Sequence, residues 1–135
     1  MSRMIFVNLP VKDLGRSVDF FKNLGFEFNP QFTDENATCM IVSEQACVML
    51  LVEPFFKGFT TKDVADAATS TETILALSAE TRAEVDELVD KALAAGGQPS
   101  ADGMDQDFMY SRNFQDVDGH LWEVIWMDPS AIDQS

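Results

Sequence analysis

Between Ile5 and Val11 apolar residues run almost unbroken, as in a buried strand, and then the period changes. Leu14, Val18, Phe20, Phe21 and Leu24 recur at helical spacing behind Asp13, whose short carboxylate suits a helix N-cap. Gly25 follows, where a helix commonly closes on a left-handed residue. Phe26 and Phe28 then alternate with polar neighbours, and residues 39–43 and 47–52 predict two more strands. The intervening Ser43-Glu44-Gln45-Ala46 fits a hairpin turn.

The second half repeats this order. Residues 74–78 predict a strand, and residues 81–95 a helix with Val85, Leu88, Val89, Ala92 and Leu93 on one stripe. Glu84, Asp86, Glu87 and Asp90 fall largely outside that stripe, and Gly96 and Gly97 stop the helix. Residues 108–114 and 120–126 predict further strands, joined by a tight turn over Asp116, Val117, Asp118 and Gly119. Strand, helix, glycine and strands therefore occur twice at nearly the same interval, which predicts an α+β chain of two βαβββ modules. The expected organisation is one domain over residues 1–135. Its first module spans 1–53, a connector 54–72 carries a short helix near Lys62 to Ala68, the second module spans 73–128, and 129–135 form a tail.

A length of 135 residues with 46% apolar content suits one domain with a real core. Nine Lys and Arg against twenty-three Asp and Glu give a net charge of −14, which repels nucleic-acid backbones and anionic membranes. No apolar run approaches the roughly 18 residues that span a bilayer, and no charged-plus-apolar leader precedes Ile5, so a soluble cytoplasmic protein is expected. Cys39 and Cys47 lack a CxxC spacing and sit in apolar segments, where free cysteine behaves as a small hydrophobe.

Two stretches carry a family resemblance. LPVKDLGRSVDFFKNLGFEF is similar to the opening of the glyoxalase/bleomycin-resistance/extradiol-dioxygenase (vicinal oxygen chelate) superfamily. DVDGHLWEV resembles its Asp-Pro-Asp-Gly-x-x-x-Glu ending, with Val117 in the place of the commoner proline. The resemblance implies two βαβββ modules forming a curled mixed sheet around one open cleft, often in a homodimer. Metal-using members hold one divalent ion through four side chains. Metal-free members bind small hydrophobic or cationic molecules in the same place.

Carried over residue by residue, the first ligand position falls on Phe6, which has no lone pair to offer; Asn8, two residues on, is the nearest polar side chain. The second falls within the apolar stretch from Met49 to Leu51, with Glu53 just beyond. The third falls on Ile74, and the fourth on Glu123, the one carboxylate in place. One such donor does not assemble a first-row metal site, so no metal cofactor is expected, and Glu53 and Glu123 are the candidates if a divalent ion binds.

The expected site is an apolar cleft lined by Phe6, Asn8, Met49, Leu51, Ile74 and Tyr110 around Glu123, with Phe55, Phe56 and Met109 as further walls. The facing register of residues 108–114 stays open, because a one-residue slip exchanges Met109, Ser111 and Asn113 for Tyr110, Arg112 and Phe114. Such a cleft suits a small, partly apolar ligand with a cation or hydrogen-bond donor. It also suits proton abstraction with Glu123 as catalytic base and Tyr110, Asn8 or Arg112 as polarising groups. A metal-dependent lyase resembling lactoylglutathione lyase, a dioxygenase with substitute ligands, and a sequestering resistance protein are the alternatives. His120 and Ser17 are read as turn and helix-end residues.

Overall fold

The computed structural model describes residues 3–132, and the chain divides into two compact units between Asp66 and Ala67. The first unit contains β1 (Ile5–Val11), α1 (Leu14–Asn23), β2 (Glu27–Asn29), a 3-10 turn (Pro30–Phe32), β3 (Ala37–Ser43), β4 (Ala46–Val52) and α2 (Glu53–Lys57). The second contains β5 (Ile74–Ala79), α3 (Arg82–Ala94), β6 (Gln98–Pro99), β7 (Asp105–Gln106), β8 (Met109–Gln115), β9 (Leu121–Met127) and α4 (Pro129–Ile132).

Among the described residues the strands form two mixed sheets, one in each unit. In the first, β1 pairs in parallel with β4, and β4, β3 and β2 follow antiparallel. In the second, β5 pairs in parallel with β9, β9 antiparallel with β8, and β8 with the short β6 and β7. The two units therefore share one βαβββ topology, with the strand before the helix lying beside the last strand of its own module. Among the described residues no helix is long and apolar enough to cross a membrane.

The helix ends follow from local chemistry. Asp13 Oδ1 accepts the Arg16 N–H at 3.1 Å, and Thr81 Oγ1 accepts the Glu84 N–H at 3.0 Å, so each side chain satisfies a donor that its helix leaves open. Glu84 reaches back to the Glu80 N–H at 2.8 Å. At the other end of α1, Gly25 takes φ +101°, and the Phe26 N–H returns to Phe21 O at 3.1 Å. The helix expected near Lys62 to Ala68 is absent there. The helical turn lies earlier, in α2, where Pro54 supplies a fixed φ in the first turn and gives up an N–H that needs no partner.

In the first unit α1 packs against β4. Phe20, Phe21 and Leu24 are buried with Leu9, Val11, Met40, Val48 and Leu50, which the register places on one face of the sheet. In the second unit Val85, Val89 and Ala92 of α3 are fully buried, as are Phe114, Trp122 and Val124 of β8 and β9. Phe114 and Trp122, cross-strand partners, stack with ring centroids 6.3 Å apart.

Candidate functional site

The closing motif sets the register that places Glu123. Asp116 is 3% exposed, and its Oδ1 accepts the N–H groups of Asp118 and His120 at 2.9 and 3.0 Å. Its Oδ2 accepts the Trp122 Nε1–H at 3.0 Å. Burial pushes the Asp116 carboxyl above its ordinary range, opposed by the His120 charge and by these three donors. Gly119 closes the loop at φ +92°, and a Cβ there would stand 2.8 Å from Ala67 O, so glycine is required twice over.

Because Asp116 organises the loop, Gln115 pairs with Leu121, and the connection runs over five residues, Asp116 to His120. That count decides which side chains share a face. Glu123 stands directly opposite Asn113, and Ile125 opposite Ser111. On the other side Glu123 lies beside Ala76, and Leu121 beside Ile74. The Glu123 face thus carries Ile74, Ala76, Leu121, Ile125, Ser111 and Asn113. Glu123 is half-buried, and among the described residues its carboxylate has no hydrogen-bond or ion-pair partner.

Tyr110 is the residue that the structure removes from this face. It pairs with Trp126, on the side covered by α3, and its hydroxyl donates to Asp86 Oδ1 at 2.6 Å. Arg112, on the same side, donates through Nη1 to Asp86 Oδ1 and to Asp90 Oδ1, both at 2.9 Å. The Tyr110 hydrogen bond and the Arg112 charge outweigh partial burial and hold the Asp86 carboxyl below its ordinary value. The same hydrogen bond, followed by burial, raises the Tyr110 phenol. Arg82 lies over both the Tyr110 and Trp126 rings, 5.2 and 5.0 Å from their centroids, and also bonds Asp105 at 2.8 Å and the Gln106 carbonyl. These groups fasten α3 to its sheet.

Ser111 and Asn113 take the place expected of Tyr110. Ser111 is buried, and its Oγ accepts the Met104 N–H at 3.1 Å. Asn113 Nδ2 donates to the carbonyls of Ala101 and Asp102 at 3.0 and 3.4 Å. The sequence signal for them was the length of the 116–120 loop. A four-residue turn puts Arg112 opposite Glu123, and the fifth residue replaces it with Asn113.

In the first unit, Phe6, Asn8, Met49 and Leu51 do share one face, since Phe6 pairs with Cys47, Asn8 with Met49, and Pro10 with Leu51. Phe6 is 49% exposed, Asn8 is exposed, Met49 is half-buried and Leu51 is buried. Glu53 begins α2 rather than extending β4. Phe55 is exposed and meets Phe59 edge to face at 5.2 Å. The four positions at which metal-using relatives of the sequence pattern carry ligands thus hold Phe6, the Met49–Leu51 stretch, the 59% exposed Ile74 and Glu123. Of these positions Glu123 alone supplies a carboxylate and none supplies an imidazole, whereas a divalent first-row ion draws its affinity from several hard or borderline donors.

Residues 3–43 match the family described as bleomycin resistance protein-like N-terminal. A solved hypothetical protein of S. aureus is 30% identical, with 93% of this chain and 95% of that one covered at a TM-score of 0.77. A glyoxalase/bleomycin resistance protein/dioxygenase family enzyme of Burkholderia phytofirmans PsJN is 15% identical, covering 93% and 99% at 0.76. A glyoxalase-related enzyme of Fulvimarina pelagi is 20% identical, covering 93% and 88% at 0.76. No curated protein matches the chain.

Proposed function

Because the chain belongs to the glyoxalase/bleomycin-resistance/dioxygenase superfamily, yet three of its four ligand positions carry no oxygen or nitrogen donor, we propose that it binds a small molecule without a divalent metal. Glu123 is the anchoring carboxylate in this reading. The ligand is partly apolar and carries a cation or a strong hydrogen-bond donor.

The observation that supports it is the state of Glu123 itself. A half-buried carboxylate beside Ala76, Leu121 and Ile125, without a partner among the described residues, costs stability unless something else compensates it. A bound cation does so at the moment of binding, and a partly apolar ligand then covers the exposed Ala76 and the half-buried Leu121 and Ile125 beside it. Two of the three polarising groups named for proton abstraction are engaged elsewhere: Tyr110 and Arg112 serve Asp86 and Asp90 on the opposite face. Binding therefore accounts for the geometry with fewer parts than turnover does.

Calorimetric titration with benzyltrimethylammonium and with its neutral carbon isostere tests the reading. The cation is expected to bind the native chain and to bind Glu123→Gln at least about 10-fold more weakly, a loss of about 1.4 kcal/mol. The isostere is expected to bind both forms alike. Equal affinity of the cation for both forms removes Glu123 from the site.

A further inference from the structure

The first unit carries a second chemical group that the Glu123 reading does not use. Cys39 of β3 lies directly opposite Met49 of β4, and Cys47 lies two residues before Met49 on the same strand. All three side chains therefore fall on one face, away from Val48 and Leu50. Cys39 and Cys47 are free, 1% and 7% exposed, and stand diagonally across the β3–β4 pair. Met49 is half-buried, and Phe6 and Asn8 flank the group from β1, opposite Cys47 and Met49. Two thiols and a thioether thus share one face of two adjacent strands.

We propose that Cys39, Cys47 and Met49 form a three-sulfur site for a soft monovalent metal ion, cuprous copper. Thiolate and thioether donors select soft ions, and cuprous copper is content with two or three sulfurs. Zinc requires four donors in a tetrahedron, and among the described residues no group of three or more His, Cys, Asp or Glu is placed to complete one. Cys39 and Met49, directly opposite, are spaced about 5 Å apart at Cβ, and Cys47, on the diagonal from Cys39, up to about 7 Å, a gap the two thiol side chains must close by turning toward each other. On binding, the Cys39 and Cys47 S–H bonds break, two protons pass to solvent, and two copper–thiolate bonds form. Met49 Sδ adds a third bond through its lone pair, and no electron is transferred. The bound group carries one net negative charge, and the half-exposed Phe6 and half-buried Met49 leave an approach from one side.

Anaerobic titration of the reduced full chain with Cu(I), in competition with bathocuproine disulfonate, tests the site, with X-ray absorption for the copper shell. The expected result is one copper per chain with sulfur neighbours only. Cys47→Ser is expected to weaken binding by at least about 100-fold and Met49→Leu by about 10-fold. Glu123→Gln, in the other unit, is expected to leave it unchanged, so this proposal and the Glu123 reading fail separately. Retention by Cys47→Ser equal to the native chain, nitrogen or oxygen in the copper shell, or zinc held as tightly as copper each overturns it. The absorption spectrum of the native chain decides the matter even if a variant fails to fold.

Discussion

Asn113 and Glu123 face each other directly across β8 and β9, yet Asn113 gives its amide hydrogens to the carbonyls of Ala101 and Asp102. An amide has two N–H donors, and both are turned toward the 101–102 segment. Glu123 is left without the partner that its position would supply. Its cost to the fold is removable. Glu123→Leu is expected to raise stability by about 0.5–1 kcal/mol in urea denaturation, because an apolar side chain suits Ala76, Leu121 and Ile125 better than an unpaired carboxylate. The same variant is expected to lose cation binding. A less stable Glu123→Leu protein shows that the carboxylate serves the fold.

Gly103 controls how Asn113 is held. A Cβ at residue 103 would sit 1.8 Å from Ser111 O, a collision with backbone that no rotamer relieves. The Met104 N–H reaches the same oxygen at 3.2 Å, and the Ser111 N–H returns to Met104 O at 2.8 Å. Gly103→Ala is expected to cost about 2–4 kcal/mol and to detach the 101–104 segment from β8. Urea denaturation reads the first effect, and hydrogen exchange at the Met104 and Ser111 amides the second.

Helices α1 and α3 were legible because their ends are written in single residues. Asp13 and Thr81 have the short oxygens that caps require, and Gly25 and Gly96 the freedom for φ values of +101° and +110°. The position of Glu123, on the face opposite Trp122 and Val124, was legible from alternation alone. Tyr110 was not, because its face depends on whether the loop before β9 has four residues or five. That count depends on Asp116 collecting two amides and an indole N–H that no local pattern announces. Asp86 and Asp90 read as solvated positions on α3, since the arginine that binds them lies on a strand more than twenty residues later in the chain. The face shared by Cys39, Cys47 and Met49 was hidden for a related reason. Cys39 and Cys47 are separated by a hairpin, and only its register brings Met49 opposite Cys39.

Asp116 is expected to be the most costly carboxylate to remove. Asp116→Ala strands the Asp118 and His120 amides and the Trp122 indole, a loss of about 2–4 kcal/mol. Because burial raises its pKa above the ordinary 3.8, its contribution is full below that value and declines as pH rises through the folded-state pKa. The advantage of the native chain over Asp116→Asn is therefore expected to shrink as pH rises from about 3.5, just below the usual aspartate value, in paired urea titrations.

Asp86 and Tyr110 have the opposite and complementary signatures. The carboxyl is held below 3.8, so its contribution is full above that value and lost as pH falls through the folded-state pKa. The phenol is held above 10.0, so its contribution is full below that value and lost as pH rises beyond it. Tyr110→Phe is expected to cost at most about 1 kcal/mol at neutral pH, because Asp86 is half-exposed and water screens the pair. It is expected to flatten both the acid and the alkaline limbs of a stability–pH curve and to leave cation binding at Glu123 unchanged. Loss of ligand binding in Tyr110→Phe returns Tyr110 to the site.

Glu123 is proposed to serve an organic cation and not a divalent metal. The most direct measurement is thermal unfolding of the native chain and of Glu123→Ala in two series. One contains benzyltrimethylammonium with EDTA present, and the other Ni²⁺, Zn²⁺, Mn²⁺ or Fe²⁺ without it. Stabilisation by the cation in EDTA, lost in Glu123→Ala, with no Glu123-dependent effect of any divalent ion, is the predicted result. Stabilisation by a divalent ion that disappears in Glu123→Ala, with none by the organic cation, contradicts it.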